Sequence, residues 1–222
     1  MKSLKKEWLQ WLILAAPFGA AAWLWDKLPE RMPIHWGISG QVDGYASKPV
    51  AALLLPCINL AVALLVVILP RLDPKFARYD EETQASLRRT FSAIRLAITL
   101  FLSIAALGVL ATPLYPAVRV PQLIVPGAGL LFIVFGNLMT KLRPNWFVGF
   151  RTPWTLESRE VWIKTHRLGG KLMVAGGGCV FVFGCLLPMR QFFFWVLIPT
   201  IAVMSLVPVV YSYIVCAQSR PK

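Results

Sequence analysis

Acidic residues are scarce in this chain of 222 residues: ten Asp and Glu stand against 23 Lys and Arg, and none of the ten lies in the middle of an apolar run. A carboxylate in low dielectric is the usual proton carrier of a membrane pump, so this absence weighs against proton-coupled transport and against intramembrane aspartyl chemistry. Histidine is scarcer still. His35 and His166 are the only two, and the HxxxH and ExxH patterns of metal sites are missing. Of the four cysteines, Cys57, Cys179 and Cys185 fall inside apolar runs and Cys216 near the end of one; there is no CxxC and no disulfide framework. No nucleophile elbow marks a hydrolase. No internal repeat suggests the inverted halves common in transporters.

What is abundant is apolar sequence. Hydrophobic residues make up 57% of the chain and the mean hydropathy is +0.64, too apolar for an ordinary soluble domain. The apolar residues form runs at 8–25, 50–70, 91–115, 120–140, 172–187 and 191–215. Each approaches the roughly 20 residues a helix needs to cross a bilayer. The expectation is an all-α polytopic membrane protein, residues 1–222 forming one integral membrane domain with six transmembrane helices. Ala20 to Ala22 resemble a cleavage site, but the run continues through Trp23, Leu24 and Trp25, so an uncleaved anchor is expected.

The net charge of +13 follows the same plan. Of the 23 basic residues, 17 fall on the side of the two termini and five on the other, with Arg95 inside the third run. Basic segments resist translocation, which predicts an N-in/C-in topology. Residues 26–49 then form an extracytoplasmic loop, 71–90 a cytoplasmic loop and 141–171 a cytoplasmic signature loop. The basic excess is topological, so no direct nucleic acid contact is implied; the expected partner of such a face is a bilayer with anionic headgroups or an acidic protein.

The polar details carry further expectations. In 26–49, Gly37, Gly40 and Gly44 with Pro29, Pro33 and Pro49 predict a chain of turns. His35 beside Trp36 reads either as a ligand-contacting, proton-responsive or metal-binding group, or as a loop histidine held by backbone while Trp36 sits in the interfacial belt. Asp43 and Lys48 fit turn-fixing roles. Segment 71–90 orders its acids before its bases and reads as a solvated, helix-like connector. Arg95 is expected to snorkel, and Asn59 to bond a neighbouring helix. Gly129 and Gly136, and Gly177 and Gly184, make smooth faces for close packing of the fourth and fifth helices.

Residues 136–170, with Lys171, are the densest specified stretch. Thr152 and Pro153 mark a helix start. The spacing predicts a short interfacial helix between helices 4 and 5, running to about Leu168 and ending at Gly169-Gly170, with Glu160 and Lys164 paired four residues apart. Pro144-Asn145 and Gly149 predict a turn bringing Asn145 near Arg151. Asn145, Arg151, Thr155 and His166 thus form a candidate cluster of donors for an anion or a peptide carboxylate. His166 with Glu157 or Glu160 is the only candidate acid–base pair; without a marked nucleophile, the expectation is a protein that is not an enzyme.

The pattern Gly136-Asn137, then Asn145, Gly149, Arg151-Thr152-Pro153-Trp154-Thr155, then Trp162, Thr165-His166 and Gly169 is similar to the signature of the bacterial SdpI immunity-protein family. Pro33, Ile34, His35, Trp36, Gly40, Asp43, Lys48 and Pro56 resemble the N-terminal block that accompanies it in many members. Phe150 departs from the smaller aliphatic residue expected there. The resemblance implies a bacterial cytoplasmic-membrane protein giving resistance to a secreted toxic peptide and, as in the namesake system, holding a cytoplasmic transcriptional repressor at the membrane. No cofactor and no metal are expected. Because the two specified loops lie on opposite faces, His35, Trp36 and Asp43 are the candidate toxin contacts. Asn137, Asn145, Arg151, Thr155, Trp162 and His166 are the candidate partner-binding or signalling residues. The alternative is a small exporter of amphiphilic peptides or molecules.

Overall fold

The computed structural model describes residues 7–219. The basic patch within residues 1–6 and the charged tail 220–222, which enter the charge count above, lie outside the described residues. Among those described, six helices are long and apolar enough to cross a membrane, in a multi-pass cytoplasmic-membrane protein. They comprise α1 (Trp8–Leu24), α2 (Lys48–Leu72), α3 (Glu81–Ala111), α4 (Val120–Met139), α6 (Arg159–Leu186) and the continuous Met189–Gln218 helix, built from α7 (Met189–Phe192), a π turn (Phe193–Leu197) and α8 (Ile198–Gln218). A five-residue helix, α5 (Pro153–Glu157), precedes α6. Exposed Trp8 and Trp23 mark the two ends of α1, as an aromatic belt would.

Two of the expected boundaries are corrected. The third helix starts at Glu81 instead of residue 91, because nothing between Glu81 and Gly108 breaks a helix: the span contains neither proline nor glycine. Asp80 caps it, accepting from the backbone N–H and hydroxyl of Thr83, which holds its carboxyl below the ordinary carboxylate range. At 31 residues, α3 is about 46 Å long and projects well beyond a hydrocarbon core of about 30 Å. The interfacial helix also differs. It starts at Thr152–Pro153 as expected but ends at Glu157; the chain then restarts at Ser158, whose hydroxyl accepts from Val161 N, and runs unbroken through Gly169-Gly170 to Leu186. Neither glycine takes the positive φ a helix-ending glycine would need; Gly40 and Gly149 alone do so among the described residues.

Those glycines are contact points. α4 and α6 run antiparallel with their backbones touching at Gly129/Gly177 and Gly136/Gly170, where an added Cβ would meet the partner's carbonyl oxygen at 2.5–2.7 Å. Gly184 meets Val125 instead. Side chains cannot shift to relieve a clash with a carbonyl, so Gly177→Ala should destabilise the protein by about 1–3 kcal/mol. The neighbouring Gly178, with open space at its Cβ, should tolerate alanine or gain up to ~1 kcal/mol from helix propensity. Thermal unfolding of the two variants in the same detergent checks both.

The loop 26–49 is also more ordered than a chain of turns. It folds as a hairpin, β1 (Arg31–Trp36) antiparallel to β2 (Val42–Ser47), with register shifts either side of His35. Met32, fully buried, seats it on Ala21, Ala51, Ala52 and Leu110 at one end of α1, α2 and α3. Pro33 and Gly44 interrupt the alternation that normally announces strands, which is why the pairing was hidden.

A polar seam joins α1, α2 and α3. Asn59 donates to Thr99 O and Ser103 Oγ, Ser103 donates to Ile13 O, and Gln10 reaches Thr99. Asn59 therefore bonds a neighbouring helix, as expected. Arg95 does not snorkel: it is buried, 2.8 Å from Glu7, with its guanidinium over the Trp11 ring. The carboxylate ahead of α1 takes the guanidinium instead. Arg95→Ala should cost about 3 kcal/mol by stranding Glu7. Arg95→Met with Glu7→Gln should recover most of that loss, as thermal unfolding will show.

Candidate functional site

The end of the bundle opposite the hairpin is built from the connection after α2 and the segment after α4. Asn145 organises the latter. Its Oδ1 accepts from Phe147 N and Val148 N at 3.0 and 2.7 Å, while its Nδ2 donates to Arg143 O and Val148 O. Every polar lobe of this buried amide is thus spent on the turn. Arg151 donates to the carbonyl of Trp146, the residue after Asn145, at 2.6 Å. The turn is clamped from outside. Buried Asp73 accepts from Trp146 N and Lys75 N, Lys75 Nζ donates to Leu156 O, and the Tyr79 hydroxyl donates to Pro144 O. Burial raises the Tyr79 phenol above its ordinary value, which keeps that proton in place. The connector 71–90 is therefore more than solvated chain. Asp73, Lys75 and Tyr79 escaped the sequence reading, whose only local signal was an Asp before Pro74.

Thr152 and Thr155 form a capping box in which Thr155 Oγ1 accepts from Thr152 N, Thr152 Oγ1 accepts from Thr155 N, and Thr155 donates on to Phe150 O. The Thr152 hydroxyl also meets buried Ser212 of α8 at 3.0 Å, and the Trp154 ring packs edge-on against Tyr213. This fixes α5 to the last span.

His166 is the keystone on α6. Its Nδ1 donates to Trp162 O at 2.8 Å and its Nε2 accepts from Phe150 N at 3.0 Å. Only a neutral imidazole carrying its proton on Nδ1 satisfies both. The ring stacks on Trp162 at 3.9 Å, and Trp162, fully buried, donates to Leu142 O. Trp162 packs with Ile94 and Leu142, so it ties α3, the loop and α6 together. Gly149 lies against the His166 ring with φ of +113°, and Gly169 lies against the Phe150 ring. The Phe150 ring sits edge-on to His166, which accommodates the larger side chain.

The expected donor cluster thus takes another form. Asn145, Thr155, Trp162 and His166 all bond the loop, but their polar atoms are spent on backbone groups and, for Thr155, on Thr152, and only Arg151 of the cluster is exposed. Asn137 stands apart, exposed on α4 and bonded to its own Ile133 O. His166 meets neither Glu157 nor Glu160; the latter pairs with Lys164 at 2.6 Å, as expected. What faces outward is cationic: Lys141, Arg143, Arg151, Arg159, Lys164, Arg167 and Lys171 are all exposed, and the exposed Trp146 ring lies beneath Lys75.

This segment is where the similarity to known proteins is concentrated: the model of the SdpI/YfhL protein family matches residues 141–212. Over those residues the chain is similar to the SdpI/YfhL protein family. A second model, a domain of unknown function called DUF1648, matches residues 12–60, which contain the hairpin. The chain is 29% identical over 174 residues to the immunity protein SdpI of Bacillus subtilis (strain 168), covering 78% of this chain and 79% of that relative. No solved structure matches. The SdpI/YfhL region therefore begins at the loop knit by Asn145 and extends into α8, taking in Ser212, the partner of Thr152.

At the other end, His35 Nδ1 lies 2.5 Å from Asp43 Oδ1 across the hairpin, both side chains largely exposed. Gly44 stands opposite His35, where a Cβ would press on the His35 side chain. Lys48 pairs with Glu30 and also lies over Trp25. Trp36 is half-buried and faces a cavity with the turns of the neighbouring helices.

Proposed function

We propose that this chain is a membrane immunity protein that protects a bacterium from a secreted toxic peptide and relays the toxin's presence to a cytoplasmic repressor. The observation that carries the reading is its likeness, over most of both chains, to a protein named for immunity. The charge asymmetry supports placing both termini and the signature end in the cytoplasm, with the hairpin outside. On that orientation His35, Trp36 and Asp43 meet the toxin on arrival. The cationic signature surface, with Arg151 at its turn, docks the partner, while Asn145, Thr155, Trp162 and His166 hold its shape; Asn137 would contribute from the flank of α4.

The test is survival of a toxin-sensitive bacterium expressing the chain under challenge with a peptide toxin of the Sdp type. Full protection by the parent, and loss of about tenfold or more in protection by His35→Ala at unchanged membrane abundance, is the expected result, since a charge-assisted contact is worth about 1.5–3 kcal/mol. A correctly inserted, abundant parent that protects no cell refutes the reading.

A further inference from the structure

A cavity of about 830 Å³ lies at the hairpin end, between the hairpin tip, the connection from α3 to α4 and the turn after α6. That volume suits a small molecule or a short segment of a larger one. Its walls mix apolar surface, from Trp36 and Leu187 among others, with the amides of Gln41 and Gln122. Arg119 is the one charged side chain in its lining. Among the described residues no carboxylate pairs with it; Glu30 pairs with Lys48 and Asp43 with His35. Of the other cations at this end, Lys27 lies over the Trp23 ring and Arg190 lines a separate pocket with Phe194 and Trp195. Helix dipoles do not decide the sign here, because α3 and α6 end at this cavity while α4 and α7 begin at it. The field is set by Arg119, the only lining residue with a full charge.

We propose that this cavity binds the carboxylate end of an amphipathic molecule, with Arg119 pairing the carboxylate, Gln41 and Gln122 donating beside it, and Trp36 and Leu187 covering the apolar body. Two sources carry this chemistry: the free C-terminus of an apolar peptide, and an acyl-chain carboxylate. The peptide source rests on the immunity reading; the chemistry of the cavity does not.

Cys185 lies in the lining and is exposed, so it reports occupancy directly. The full chain with Cys57, Cys179 and Cys216 changed to Ser is placed in nanodiscs of zwitterionic lipid. The rate at which Cys185 reacts with a polar maleimide is then measured with laurate, with an apolar peptide bearing a free C-terminus, and with the same peptide amidated. The carboxylate forms should slow labelling and the amide should not. Arg119→Gln should weaken protection about tenfold, the worth of one charge-assisted contact, whereas Lys27→Gln, which removes the same charge outside the lining, should preserve it. Protection by the peptide alone assigns the peptide source, and protection by laurate alone the acyl source. Equal labelling under all three probes, or protection that survives Arg119→Gln, overturns the proposal. Binding of isotope-labelled laurate, followed through its carboxyl resonance, gives the same decision without the thiol. Retained cell survival in an Arg119→Gln strain whose protein no longer binds either probe would leave the cavity as a site and separate it from immunity.

Discussion

Gly149→Ala should lower the thermal unfolding midpoint by about 10 °C, the equivalent of roughly 3 kcal/mol for a chain of this size. Two effects add. The backbone at Gly149 has φ of +113°, where a side chain is strained by about 1–3 kcal/mol whatever the space around it. The space is also taken, since an added Cβ collides with His166 Nε2. The ring cannot retreat without giving up the Phe150 N–H, the bond to Trp162 O and the stack on Trp162. Because clash and bond share one ring, the effects of Gly149→Ala and His166→Ala should fall short of additive in the double variant. Additive losses would show that the two residues do not act through each other.

Trp162→Ala should be comparably damaging, by about 3–5 kcal/mol. The ring is fully buried, fills the space between Ile94 and Leu142, and supports the His166 imidazole. Trp162→Phe separates the contributions. It keeps most of the packing but leaves Leu142 O without its donor, so it should cost about 1–3 kcal/mol. Thermal unfolding of both variants in one detergent gives the comparison; equal losses would mean that the hydrogen bond, and not the ring, carries the site.

The helical plan was legible because membrane spans declare themselves by length and apolarity, which depend on no partner. The glycine faces were legible for a similar reason, since only a small residue admits a second backbone; the pairing of Gly136 with Gly170 required knowing the antiparallel stagger. Helix ends were less so. Gly169-Gly170 looks the same in sequence whether it stops a helix or lies under Phe150 and α4. The hairpin was hidden by Pro33 and Gly44, and Arg95 by a partner eighty-eight positions away. In the signature, the residue types can be read from the sequence and the direction of their hydrogen bonds cannot. Asn145, Thr155 and His166 suit a loop that binds something and suit equally a loop that binds itself; the donor and acceptor directions decide, and those exist only in three dimensions. Asp73 and Tyr79 illustrate the complement, a clamp supplied from about seventy residues upstream of the segment it holds.

The signature is a self-locked frame presenting a cationic surface, and Arg151→Ala tests that division most directly. Arg151 is exposed and its side chain makes one hydrogen bond among the described residues, to Trp146 O. Stability should therefore stay within about 1 kcal/mol of the parent and membrane abundance should be unchanged, while, on the proposed function, signalling to a repressor under toxin challenge falls. A fall in abundance as large as that of Gly149→Ala, or full signalling at normal abundance, would contradict the division between frame and surface.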